Sequence, residues 1–136
     1  MSKGNTFEND VIKLVVLGTA FSWNANGSVY VGLHTADPGE AGNQTTSEAT
    51  YGSYARVAVA RTAGGWTVAG NQASNAGIVT FPQATSGSST VTHVSVGTGA
   101  SGVGQLLYSA ALSSSLAVAS PIQPNFPIGS LVITED

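Results

Sequence analysis

Charge is what this sequence has least of: Lys, Arg, Asp and Glu make up 8% of its 136 residues, against about 25% in an average soluble domain. Four basic residues, Lys3, Lys13, Arg56 and Arg61, lie scattered along a chain of net charge −3. They cannot neutralise a row of phosphates, which argues against nucleic acid as a partner. Cysteine is absent, excluding disulfides, thiol catalysis and thiolate metal sites. A chain without thiols also suits passage from a reducing cytoplasm to an oxidising exterior. Long hydrophobic runs are missing as well. Val11–Phe21 is broken by Lys13, Gly18 and Thr19 and falls short of the roughly 20 residues that span a bilayer, so no membrane contact is expected. The region before it carries Glu8 and Asp10 beside Lys3, unlike an export signal, and the mature chain is expected to begin at Met1 or Ser2.

What replaces charge is Ser, Thr, Gly, Ala and Asn, with 42% hydrophobic residues, the reverse of a disordered composition. The length predicts a single domain over 1–136, divided into an N-terminal helical arm (1–20) and a β-sandwich (27–136). In the arm, Asn5 and Glu8 have the spacing of a capping box. Phe7, Val11, Leu14 and Val15 fall at i, i+4, i+7 and i+8, and Gly18 is a natural stop, so the pattern predicts a helix over Thr6–Leu17.

Past Asn26-Gly27 the hydrophobic period changes from 3.6 to 2. In Ser28–His34, Val29, Val31 and Leu33 face one way and Tyr30, Gly32 and His34 the other, a strand with one buried face. Comparable segments are Tyr54–Arg61, Trp66–Ala69, Gly77–Phe81, Val91–Gly97, Gln105–Leu112, Leu116–Ala119 and Ser130–Thr134. They are separated by Gly, Pro, Asn and Ser turns rather than by helices. The fold class predicted is all-β, an antiparallel β-sandwich of about eight strands, with a jelly roll as first choice. One connection, Asp37–Ser53, is long and aperiodic, and such loops are either functional or mobile.

Motifs for chemistry are sparse. Gly97-Thr98-Gly99-Ala100-Ser101-Gly102 matches G-x-G-x-x-G, but Gln105–Leu112 alternates like a strand where a dinucleotide site needs a helix, and the next acid is Glu135. A glycine-rich turn is expected, and no cofactor. A metal site on His34 and His93 needs at least one further ligand, for which Asp37, close to His34 in sequence, is the candidate. Two histidines and scattered carboxylates are ordinary in such a chain, and no metal is expected. No G-x-S-x-G elbow and no facing carboxylate pair stand out, so no catalytic residues and no enzymatic activity are expected. Trp23, Tyr30, Tyr51, Tyr54 and Trp66 form either a sugar-stacking surface or part of the core.

The strand Val29-Tyr30-Val31-Gly32-Leu33-His34, the turn Thr35-Ala36-Asp37-Pro38-Gly39 and the segment Gly52-Ser53-Tyr54-Ala55-Arg56 resemble a group of small tailed-bacteriophage structural proteins. In that group a strand of the form V-x-L-H/F-T-A-D-P-G leads to a glycine-rich loop and a G-Y-x-R strand. The resemblance covers about the first sixty residues, and its members are labelled tail fibre proteins or capsid decoration proteins. It implies a non-enzymatic virion protein. The reading put first is a capsid decoration or cement protein on the outer capsid surface, bridging and stabilising the major capsid protein. The alternative is a tail-fibre or tail-tip domain that binds a host glycan or receptor. Expected partners are the major capsid protein and a second copy of the chain, as a homodimer or a trimer. The expected contact residues are Phe7, Val11, Leu14 and Val15 of the helix, with Asp37, Pro38, Gly39, Tyr51 and Tyr54 of the long loop and its flank.

Overall fold

The alternating valines of Ser28–His34 do form a strand, and it lies inside the largest sheet. In the computed structural model, which describes residues 1–136, the elements in chain order are β1 (Ser2–Lys3), α1 (Asn5–Leu17), β2 (Ser28–His34), β3 (Val57–Ala60), β4 (Trp66–Ala69), β5 (Gln72–Asn75), β6 (Val79–Thr80), β7 (Ser88–Gly97), β8 (Leu106–Ala119), β9 (Asn125–Phe126) and β10 (Val132–Thr134). A five-stranded sheet runs β1-β8-β7-β2-β3, a three-stranded sheet β10-β5-β4, and a two-stranded sheet β6-β9. Every strand pair is antiparallel. The all-β, sandwich-like expectation holds, and this strand order does not by itself single out a jelly roll.

Ten strands replace the expected eight for local reasons. Gly70-Asn71 joins β4 to β5 as a two-residue turn with Ala69 opposite Gln72. Gly70 takes a left-handed φ of 61° there, as such hairpin turns demand. The segments read as Gln105–Leu112 and Leu116–Ala119 are one strand. His93 pairs with Ala111 and Val91 with Leu116, so Leu112 and the serines after it form a wide bulge opposite Thr92 rather than a turn.

One face of the large sheet presents Val31, Leu33, Val94 and Val118 to Phe81, Tyr51 and Leu131, all buried in the main hydrophobic cluster. A second, smaller cluster joins Phe7, Val29, Val96, Leu107 and Ile133. The opposite face of β2 is buried too, contrary to the one-faced expectation: His34 has no exposed surface, and Tyr54 Oη and Ser95 Oγ crowd the position where Gly32 would carry a side chain. The long loop causes this. It runs beside the end of β2, with the Thr35 N–H donating to Ser47 O at 2.8 Å and the Ala49 N–H to Leu33 O at 2.8 Å.

The helix starts at Asn5, one residue before the expected Thr6, and its N-cap is Gly4, without a side-chain cap. The capping box does not form because the first donors already have partners. The Gly4 N–H donates to Leu107 O at 2.9 Å and the Asn5 N–H to Glu40 O at 2.9 Å. A Cβ at Gly4 would stand 2.4 Å from Leu106 O, so only glycine lets the chain approach β8 this closely. At the other end Gly18 takes the left-handed conformation expected of a helix stop, with φ 67°.

Candidate binding surfaces

The polar residues of the long loop converge on an interior clamp. Arg56, with 2% of its side chain exposed, grips Glu48 through Nε to Oε2 at 2.6 Å and Nη2 to Oε1 at 3.1 Å. The same guanidinium donates to Gly99 O at 2.8 Å and Gly102 O at 2.6 Å. Tyr54 Oη accepts the Leu33 N–H at 3.0 Å and donates to Glu48 Oε2 at 3.1 Å. Burial pushes the Tyr54 hydroxyl far above its usual range. Gln44, fully buried, donates to Gly99 O at 3.3 Å and accepts the Gly99 N–H at 2.9 Å.

The glycine-rich motif is therefore a turn, as expected. A phosphate cradle offers N–H groups, whereas here two carbonyls point at Arg56 and Gln44 fills the space. A Cβ at Gly97 would lie 2.2 Å from Gln44 Cδ, and one at Gly104 1.8 Å from its Oε1.

His34 lies in the same layer. Its Nδ1 is 2.8 Å from Thr46 O and its Nε2 2.7 Å from Ser95 Oγ, so the neutral ring donates to the carbonyl and accepts from the hydroxyl. Burial holds its pKa below the ordinary histidine value, partly offset by the Thr46 carbonyl and Glu48. His93 is its register partner on β7 and has Nδ1 2.8 Å from Thr92 Oγ1. Asp37 accepts the Gly39 N–H at 2.9 Å in a tight turn, and no three His, Asp or Glu residues converge.

Of the expected contact residues, Tyr51 is buried and donates to Pro82 O at 3.0 Å. With Tyr54 engaged in the clamp, both tyrosines support the core rather than a surface. Pro38 is buried, while Asp37 is exposed at the loop's start. Phe7 is buried and Val11 half-buried. Leu14 and Val15 project into solvent with Ile12, Val16 and Leu17, Val15 to 76%. On a helix Ile12, Val15 and Val16 share one stripe, which adjoins the Phe7 stripe at Val15 and runs round to the far side of the helix. The apolar surface of the arm is thus covered at Phe7 and Val11 and bare from Val15 onward.

Of the five aromatics read as a sugar surface, Tyr51 and Tyr54 pack edge to face inside the core at 5.4 Å between ring centroids. Tyr30 stands apart from both pairs, and Trp23 and Trp66 share one open cleft. The cleft, of about 620 Å³, lies where the five-stranded sheet (Val29, Val96) and the three-stranded sheet (Val68, Ile133) part. Apart from Arg61 and Thr62 its lining is hydrophobic. Phe21 stacks on Trp23 at 4.7 Å between ring centroids, and the Arg61 guanidinium lies 4.8 Å from the centre of that ring, so little of its face is left for a sugar. The indole N–H of Trp23 is buried without an acceptor. Tyr108, also in the lining, donates to Glu135 Oε1 at 2.6 Å. Arg61, Val68 and Tyr108 carry no local motif. Their meeting depends on strand order, and the two tryptophans were the one sequence signal for the cleft.

A comparison with protein families matches residues 2–134 to the podophage GP4 fiber I protein gp80 family. The chain belongs to this family. It is accordingly a bacteriophage virion structural protein, and the match runs over nearly all of the chain. The family's name is of the tail-fibre type and says nothing of capsid decoration. No curated protein matches the chain. No helix is long and apolar enough to cross a membrane.

Proposed function

We propose that the protein is a structural component of a phage tail fibre, the alternative to capsid decoration in the sequence reading. The observation that carries this is the family match over residues 2–134 under a fibre name. The geometry supports a protein that works by contact rather than turnover. Its one close serine–histidine pair, Ser95 with His34, is sealed from solvent on both sides, where no substrate reaches it.

Attachment falls to α1. A helix apolar on all sides is normally embedded, and the last turns of α1 are apolar on all sides but for Lys13. The exposed stripe Ile12, Val15 and Val16 joins copies of this chain within the fibre, in a closed homo-oligomer.

Phage particles assembled without this protein test the reading. The fibre role predicts lost adsorption to host cells with undiminished resistance of the capsid to heat and osmotic shock. Particles that adsorb normally but leak DNA would overturn it in favour of capsid decoration.

A further inference from the structure

The cleft beneath Trp23 and Trp66 is independent of the fibre reading, and its chemistry is specific. Its walls come from two different sheets, it is open to solvent, and its volume of about 620 Å³ is that of a site for a small organic ligand. A sugar ring needs several hydrogen-bonding groups around it, and this cleft has few to give. Thr62 Oγ1 already accepts the Gly64 N–H at 3.2 Å, and Tyr108 is engaged with Glu135.

What the cleft does offer is apolar area and, at Arg61, one unmet demand for an anionic oxygen in its wall. Arg61 has no carboxylate partner, unlike Lys3 and Arg56. Its Nη1 donates to Asn24 O at 2.9 Å and Asn26 O at 2.8 Å, leaving Nη2 and Nε without a protein acceptor.

We propose that this cleft binds an amphipathic anion, with an alkyl chain lying between the two sheets and an acidic headgroup held by Arg61. The hydrophobic lining sets affinity through chain length, since each buried methylene multiplies it about fourfold. Arg61 sets the preference for a negative head.

Trp23 and Trp66 are the two tryptophans of the chain and both line the cleft, so their fluorescence reads occupancy directly. The probe is monomeric sodium dodecanoate, below its micelle concentration, titrated into the full chain. A saturable change in emission is expected, with octanoate, four methylenes shorter, roughly 250-fold weaker. Arg61→Gln is expected to weaken dodecanoate about tenfold while leaving a neutral dodecyl glycoside unchanged. Because Arg61 also holds two loop carbonyls, a second variant guards against misfolding. Val68→Asp, at a side chain 73% exposed, puts a charge in the cleft and is expected to abolish binding with unchanged circular dichroism.

No saturable signal, affinity independent of chain length, or full affinity in a folded Arg61→Gln protein would each overturn the proposal. So would a stronger response to a simple methyl glycoside. Sedimentation with phosphatidylglycerol vesicles without any response to dodecanoate would overturn it in favour of a membrane-surface contact.

Discussion

Replacing Arg56 with Met removes the clamp on which two loops depend. The guanidinium makes four hydrogen bonds, two to Glu48 and one each to the carbonyls of Gly99 and Gly102. Hydrogen bonds to charged groups are worth about 1.5–3 kcal/mol each, and a simple sum overstates the loss, because desolvating Arg56 in the wild type offsets part of it. Breaking a buried pair by removing one partner costs about 3–5 kcal/mol, chiefly because the other charge is left behind. Glu48, with 19% of its side chain exposed, regains some hydration, which favours the lower end of that range. Against a total stability of about 5–15 kcal/mol this is a large fraction, equivalent to a fall in Tm of about 10–20 °C for a chain of this size. Urea denaturation gives the free energy directly. Limited proteolysis gives the location, since new cuts are expected within residues 39–48 and 98–104 before any in β7 or β2. Adding Glu48→Met to Arg56→Met should restore part of the loss, because an apolar pair of similar volume avoids the stranded charge. A loss below about 1 kcal/mol for Arg56→Met would refute the reasoning, as it would place the pair energetically at the surface.

Three further outcomes follow from the same structure. His34 is held neutral with its pKa lowered by burial, so below the unfolded value of about 6.5 the unfolded chain binds a proton that the folded one refuses. Stability should therefore be complete above about pH 7.5 and fall as the pH drops through 6.5, by at most about 1.4 kcal/mol per pH unit. Urea midpoints at a series of pH values check this, and His34→Gln should flatten that part of the profile. Gly97→Ala drives a Cβ into the buried side chain of Gln44 and should cost about 1–3 kcal/mol by overpacking, whereas Gly27→Ala, with open space around it, should change stability by less than about 1 kcal/mol. For the arm, Ile12→Ser, Val15→Ser and Val16→Ser together should leave a folded monomer where light scattering of the wild type reports an oligomer. A wild type that is monomeric at every concentration would remove the case for α1 as the joining element.

The helix, its Gly18 stop and the strand Ser28–His34 were legible from the sequence because each rests on local terms: a stripe at helical spacing, a left-handed cap, and β-branched alternation. The helix start was not, since the Gly4 and Asn5 N–H groups are held by the carbonyls of Leu107 and Glu40 respectively, residues distant in the chain whose contact overrides a local capping signal. The serine run after Leu112 was misread for the same reason. A bulge and a turn look alike in composition, and the pairing of β7 with β8 decides between them. Tyr51 and Tyr54 looked like surface candidates because they sit beside a long polar loop, yet that loop folds inward around Glu48 and Arg56. Clefts between sheets depend on which strands meet, so only the tryptophans of this one could be seen in advance.

The central claim, that this virion protein belongs to a tail fibre, is tested most directly by locating it on intact particles. Gold-labelled antibody against the protein, viewed by cryo-electron microscopy with the copies per particle counted, should mark the tail with few copies. Label spread over the capsid in hundreds of copies would contradict the account and return the protein to a decoration role.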